Sequence, residues 1–417
     1  MRSIDSRGPS RITNAFVSAL SCDGRSLAVR TARGAPRQRG KVRHLRLSDG
    51  WDRPRIFPAD YYRDTGDLDF AQEEFSIVQR ELAWNASLVN AQGLLVTDNS
   101  DGLDWDWYDG KKTGAVTAYN ALYYQDLVNG ACMARETGHA ELAARYEQRA
   151  VALRTAINTH LFNSDTGVYD VSTSLRGTVA QDANADAVLF GVAPAGAVPG
   201  SLAKLRPTLR GDHGPVPFSA DTGYSKLVSP FVSGFELRAR LAAGDTTGAM
   251  RLLSDVWGQM VEPGPNCTGA LWENLNPDGT VPSGTTSLAH GWSSTPTAAL
   301  TEYVLGARSV GAGYSTWIVQ PQPGSLRWSE GRVPTPHGPL TVKWSRAHGH
   351  GFDMNVSAPH GTSGTIAVPV SSRATAITVN GSGSGTTGGS APVPGSPART
   401  ATDPTSSCPS AGRASIT

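Results

Sequence analysis

The 417-residue chain has little of several things that would mark a familiar function. Its 4 cysteines, at 22, 132, 267 and 408, stand far apart with no Cys-x-x-Cys spacing, which excludes a zinc ribbon or a dithiol redox pair. No His-Glu-x-x-His occurs, and the one close histidine pair, His348 and His350, falls in a Gly-rich turn, so neither a catalytic metal nor a cofactor is expected. The phosphate-cradling Gly-x-x-x-x-Gly-Lys-Ser/Thr loop is missing too. No apolar run approaches membrane length, so no membrane span is expected. The start, Met-Arg-Ser-Ile-Asp-Ser-Arg-Gly-Pro, lacks the apolar stretch of a signal peptide, which leaves the compartment open with cytoplasmic as the default. The remainder, 39% hydrophobic and 18% charged, fits a globular protein with a sizeable core.

A formal charge of +1 hides an asymmetry. Residues 1–56 carry 13 Lys+Arg against 4 Asp, a charge of +9, which leaves 24 against 32, or −8, for the rest. A basic arm of this kind suits nucleic acid, but it has neither interleaved aromatics nor helical periodicity, so nucleic acid is not expected as a partner. Residues 1–58 are rich in Arg, Gly and Ser and define no element.

From Pro58 the character changes. Ala59 to Asp67 closes one helix at Gly66, a glycine suited to a helix C-cap, and Phe70 to Ala86 reads as the next, with Phe70, Phe75, Ile77, Val78, Leu82 and Ala86 on one face. The same device returns at Tyr119 to Gly138 followed by Ala140 to Leu161, and again at Phe231 to Gly244 followed by Thr246 to Met260. Three helix, Gly-turn, helix units make a repeat of αα-hairpins. In each, the first helix is richer in aromatics and small residues, as an inner ring requires, and the second carries more charge. An apolar helix, Thr297 to Leu305, ends the helical part. After Gly306 the period changes to alternation, in Thr316-Trp-Ile-Val-Gln, Leu340 to Arg346, Phe352 to Val356 and Thr365 to Val370, which reads as a small antiparallel β-sandwich. The division expected is 1–58 unassigned, 59–308 helical, 309–380 β and 381–417 a Gly/Ser/Thr/Pro tail with too little apolar surface to order itself.

The chemistry concentrates in two places. Thr268-Gly-Ala-Leu-Trp-Glu273, an Asn-Pro-Asp-Gly turn, and Ser287-Leu-Ala-His-Gly-Trp-Ser-Ser-Thr-Pro296 set a carboxylate, two tryptophans, a histidine and several hydroxyls in irregular segments ahead of the last helix. A pyranose has apolar C–H faces and a rim of hydroxyls, so indoles and fixed polar groups hold it, and a carboxylate near the anomeric carbon activates water or attacks. The second place is Asp98-Asn-Ser-Asp101-Gly-Leu-Asp104-Trp105-Asp106-Trp107-Tyr108-Asp109-Gly110, a loop of carboxylates and aromatics between two helices. Each has a plain alternative. Such a loop is commonly a solvated turn with capping carboxylates, though the order of a calcium loop is absent. Trp272 and Trp292 can be core residues, Glu273 can be satisfied by backbone N–H groups, and His290 can be a substrate contact or a structural hydrogen bond.

Taken together, Trp272-Glu273, His290-Gly291 and Leu103-Asp104-Trp105 ahead of Thr117-Ala118-Tyr119-Asn120 resemble the catalytic domain of α-L-rhamnosidases, over roughly residues 59–380. The resemblance implies a mainly α fold, a toroid of helical hairpins of the (α/α)6 type followed by the β-sandwich. Twelve helices want roughly 300 residues or more, so the toroid is expected to be incomplete at its N-terminal side. It also implies that Glu273 is the general base of an inverting hydrolysis, that Asp104 binds sugar hydroxyls, that Trp105 walls the pocket with Trp272, and that His290 touches the sugar. The partners implied are rhamnosylated glycosides or polysaccharides.

The chain departs from the family where the general acid should stand. Nothing in residues 1–58 matches an Asp-Cys-Pro-x-Arg-Asp-type motif; Cys22-Asp23 has neither the Pro nor the flanking Trp. Either an Asp of the 101–109 loop acts as acid, or the chain is a fragment without its first hairpins, which is the expectation favoured here. Other readings are a carbohydrate-binding pseudoenzyme, a six-hairpin glycosidase for another sugar, and a helical scaffold for protein partners; the last conflicts with an acidic, aromatic concave face.

Overall fold

A computed structural model describes residues 57–97, 105, 112–219, 224, 226–264, 267–282, 284, 286–346 and 351–369, and two short strands at 378–379 and 382–383. The basic segment 1–56, Asp104 and the rest of the 98–111 loop apart from Trp105, the pair His348 and His350, and nearly all of the C-terminal tail lie outside the described residues.

The described helices form four hairpins and a final helix: α1 (Phe57–Thr65) with α2 (Leu68–Ser87), α3 (Thr117–Glu136) with α4 (Ala140–His160), α5 (Gln181–Leu189) with α6 (Val198–Thr208), α7 (Pro230–Ala242) with α8 (Thr246–Val261), and α9 (Thr295–Ala299), which continues as a π-helical segment to Leu305. The fold is the (α/α)6-type toroid of hairpins. The turns form as the sequence dictates. Gly66 takes φ +69°, a left-handed conformation that costs glycine little. Asp67 then caps α2 by accepting from Phe70 N at 3.0 Å. Gly244 (φ +79°) and Asp245, which accepts from Gly248 N at 2.9 Å, repeat the device before α8.

The α5–α6 hairpin is the unit that periodicity does not reveal. Every residue of α5, Gln-Asp-Ala-Asn-Ala-Asp-Ala-Val-Leu, is buried, so a run that reads as a polar loop is an interior helix. Asn184, in its first turn, makes this possible. Its side-chain oxygen accepts from Tyr169 N at 2.8 Å and its amide donates to Tyr169 O at 3.0 Å, so it completes the hydrogen bonds of the strand before it. Asn120 does the same at the equivalent place in α3, accepting from Leu95 N at 2.8 Å and donating to Leu95 O at 2.9 Å.

Contacts between first turns show that the inner helices run side by side in one direction. Lys112, just before α3, meets Asp182 in α5. Gln181 donates to Glu236 of α7 at 2.8 Å and to Ser233 at 3.3 Å. A Cβ on Gly234 of α7 would stand 2.8 Å from Cβ of Thr295, the first residue of α9, so that glycine lets the two helices close up. At the other end of the barrel α1 bridges α3 and the strand that follows the last helix: Tyr62 Oη donates to Glu136 at 2.8 Å, and Ser309 Oγ donates to the Arg63 carbonyl at 3.3 Å. One hydrophobic core lies among α1 to α6 and a second among α7 to α9 and the sheets.

Four two-residue strands lie between the helices, β1 (Phe162–Asn163), β2 (Val168–Tyr169), β3 (Arg210–Gly211) and β4 (Gly214–Pro215), and beyond α9 follow β5 (Ala307–Ser309), β6 (Thr316–Val319), β7 (Trp328–Thr335), β8 (Gly338–Arg346), β9 (Phe352–Ser357) and β10 (Ser363–Ile366). β7-β8-β9 is an antiparallel sheet, with Val333 opposite Leu340 and Trp344 opposite Met354. The second sheet, β10-β6-β5, pairs β5 antiparallel and β10 parallel to β6, so one pair departs from the antiparallel pattern. β7 is the strand that alternation did not mark, because Gly331 and Pro334 interrupt it. Trp344, wholly buried, ties the sheet to the barrel by donating from Nε1 to the Val304 carbonyl at 3.0 Å.

Candidate active site

The inner helices begin at one mouth, and two polar clusters are built there. The first is made by Trp105, Lys112 and Asp182. Asp182 Oδ2 accepts from Lys112 Nζ at 3.0 Å and from Trp105 Nε1 at 3.1 Å, while its other oxygen accepts from Ala183 N at 2.6 Å. Lys112 is only 1% exposed. Its ammonium lies 5.3 Å from the ring centre of Phe218 and 5.7 Å from those of Trp105 and Tyr119, so ring faces join the Asp182 carboxylate around it. Trp105 lies parallel to Phe218, which stacks on Tyr224 with centroids 4.3 Å apart. Neither Lys112 nor Asp182 stands out in the sequence. Lys112 ends an exposed-looking Gly110-Lys111-Lys112 run, and Asp182 sits in a run with the composition of a loop.

The second cluster forms from the two irregular segments, which lie together as their order suggests. Glu273 N donates to the Ser287 carbonyl at 2.8 Å, and His290 N donates to the Leu271 carbonyl at 2.8 Å. A bridge between Leu275 and Val228, with N–H···O distances of 2.8 and 3.0 Å, fixes the first segment to the chain entering α7. Ser287 N donates to Glu273 Oε2 at 2.9 Å, whereas Oε1 has no hydrogen-bond partner among the described residues and the side chain is half-buried. Trp292 donates from Nε1 to the Glu273 carbonyl at 3.0 Å. Its ring lies 4.3 Å from that of His290 and 5.3 Å from that of Phe231 at the start of α7. A carboxylate oriented by one N–H, with its second oxygen open, on a segment whose backbone binds an indole that lies against an imidazole, can take a proton from water held against a sugar face.

The structure therefore brings Glu273, His290 and Trp292 together and places Trp105 in the neighbouring cluster. Trp272 is 1% exposed and packs in the second core, near Met260, whose sulfur accepts from Trp272 N at 3.2 Å. This is the core position that the sequence leaves open for it, and from there it supports the segment carrying Glu273. Asp104 lies outside the described residues. Trp292, read from the sequence as a possible core residue, is only partly buried and binds the backbone carbonyl of Glu273.

Fold and mouth together define a six-hairpin glycosidase-type domain with a β domain after it. Two family models match: residues 36–214 fit the bacterial α-L-rhamnosidase 6 hairpin glycosidase domain, and residues 306–383 fit the bacterial α-L-rhamnosidase C-terminal domain. The chain belongs to the bacterial α-L-rhamnosidase family. The first match begins inside the basic segment. An α-L-rhamnosidase of Alteromonas sp. (strain LOR) is 26% identical over 337 residues, covering 77% of this chain and 35% of that protein. The solved GH78 family rhamnosidase of Bacillus sp. GL1 superposes with a TM-score of 0.62 at 24% identity, over 76% of this chain and 32% of its own. The Streptomyces avermitilis α-L-rhamnosidase complexed with L-rhamnose superposes with a TM-score of 0.55 at 19% identity, over 78% of this chain and 30% of its own. These likenesses to solved structures establish the fold, and the chain spans about a third of the length of the relatives it matches.

Proposed function

We propose that the mouth hydrolyses a terminal α-L-rhamnoside with inversion. The observation that carries the proposal is the half-open Glu273 carboxylate, held by Ser287 N on a segment whose backbone binds Trp292, itself against His290, in a chain of the α-L-rhamnosidase family. Glu273 Oε1 accepts a proton from water as that water attacks C1, while a second carboxylic acid protonates the leaving oxygen. In an inverting pair the two carboxyl groups stand about 6.5–9.5 Å apart to leave room for the water. Trp292 and Trp105 offer stacking surface, His290 and Asp104 hydrogen-bond the sugar rim, and the substrates are rhamnosylated glycosides or polysaccharides.

Asp182 is unsuited to be the acid, because both its oxygens already accept hydrogen bonds from buried N–H donors. That leaves the Asp residues of the 101–109 loop as candidates within this chain, and it motivates a second reading: a domain that binds rhamnose without turning it over. Release of p-nitrophenol from p-nitrophenyl α-L-rhamnopyranoside, measured beside Glu273→Gln, separates the two. Turnover lost on that change supports hydrolysis with Glu273 as base. A folded wild-type protein that binds rhamnose without turnover supports the binding reading, and turnover unaffected by the change overturns the role given to Glu273.

A further inference from the structure

A second feature lies on the outer wall of the barrel and belongs to neither cluster at the mouth. Between the end of α6, the two-stranded hairpin Arg210–Pro215, α7 and α8 runs an open cleft. Its floor is a neutralised guanidinium. Arg240 donates from Nε to Glu236 at 2.7 Å, from one terminal nitrogen to Asp245 at 2.6 Å and from the other to the Leu202 carbonyl at 3.0 Å, which engages all three of its nitrogens.

The rim differs. Arg206, Arg210 and Arg251 line the cleft with one carboxylate, Asp255, among them. Arg206, Arg210, Arg251 and Asp255 thus share one cleft, and the Asp255 carboxyl is influenced by all three guanidinium groups and by His213. Arg206 approaches Asp255 at 3.8 Å, too far for a hydrogen bond, and the guanidinium groups of Arg210 and Arg251 make no hydrogen bond or ion pair with any described residue. Three guanidinium groups against one carboxylate leave an excess of two positive charges, with planar N–H forks directed to no protein acceptor. An oxyanion satisfies such forks in pairs, with charge-assisted hydrogen bonds roughly twice as strong as neutral ones.

The hairpin connects this cleft to the candidate active site. Gly279, in the turn that follows the Glu273 segment, adopts φ +81°, and a Cβ there would stand 2.7 Å from the His213 ring. The hairpin tip thus leans on the turn joining the two halves of the site.

We propose that the cleft is a binding site for a small oxyanion, a phosphate, sulfate or carboxylate group, either free or carried on a sugar, gripped by Arg210 and Arg251 with Arg206 at its edge. The proposal is independent of the hydrolysis assigned to the mouth.

Isothermal titration of the whole chain with inorganic phosphate tests it, at ionic strength held constant with sodium chloride, on the wild type and on the double variant Arg210→Gln/Arg251→Gln. Both side chains are exposed and unpaired, so the double variant is expected to melt at the wild-type temperature and to keep the wild-type rhamnosidase rate. Phosphate affinity is expected to fall at least ten-fold in the variant. Glucose 6-phosphate and glucose form the second arm: tighter binding of the sugar phosphate than of phosphate, with none of glucose, assigns a sugar-borne anion, and equal binding of the two phosphates assigns the free ion. Equal phosphate affinity in wild type and variant, or no phosphate binding beyond that of chloride, overturns the site whatever the hydrolytic activity proves to be.

Discussion

The two clusters at the mouth contain similar groups, a carboxylate and an indole in each, and differ in how completely those groups are satisfied. Around Asp182 both oxygens accept hydrogen bonds, and Lys112 is boxed in by Phe218, Trp105 and Tyr119. Around Glu273 one oxygen is held and the other is open. A buried charge with a full set of partners has no capacity to accept a proton in a reaction and acts as scaffold, whereas removing one partner leaves the other stranded at high cost. A carboxylate oriented by one donor with an oxygen free is preorganised and still available. The same residue types thus mark structure in one cluster and chemistry in the other.

This comparison yields expectations of decreasing size. Glu273→Gln removes the proton acceptor, and kcat on p-nitrophenyl α-L-rhamnopyranoside is expected to fall about 10²–10⁴-fold with the melting temperature nearly unchanged; a kcat within a factor of two of wild type would end the distinction drawn between the clusters. Lys112→Met strands Asp182 inside the ring box, and urea denaturation is expected to show a loss of about 3–5 kcal/mol. Adding Asp182→Leu to that variant should recover much of the loss, and a double variant no more stable than Lys112→Met would mean that the pair is not the scaffold described. Trp292→Phe keeps a ring but deletes the donor to the Glu273 carbonyl. It is expected to lower kcat/KM roughly ten-fold, about 1.4 kcal/mol, with a smaller effect on stability. Gly244→Ala serves as the control far from both clusters. Nothing lies within 4 Å of the new Cβ, so the left-handed φ of +79° alone sets a loss of about 1 kcal/mol, with kinetics unaltered.

Several of these residues could be read from the chain and several could not. The hairpins at Gly66, Gly138 and Gly244 were legible because a glycine turn and the helical period are local properties of a few consecutive residues. The α5–α6 hairpin was not, because burial on every side removes the amphipathic period and Gln181, Asp182, Asn184 and Asp186 imitate a loop. The Asn120 and Asn184 clamps, each at the fourth position of its helix, are a repeat that the chain does carry, but one asparagine per hairpin is too sparse to stand out before the strands it completes are known.

By itself the sequence determined the three glycine-turned hairpins, the change from helical to alternating period after Gly306, and the two segments from which Glu273, His290 and Trp292 come. These follow from periodicity, turn chemistry and the kinds of side chain that a sugar requires. Only the tertiary structure decided that Trp272 is core while Trp292 is half-buried on the Glu273 backbone, that Lys112 and Asp182 meet across 70 residues of chain, and that Arg210 and Arg251 line one cleft. The physical reason is that satisfaction and exposure belong to contacts between distant segments, and a residue's identity fixes what it can bond but not which partner the packed chain brings within reach.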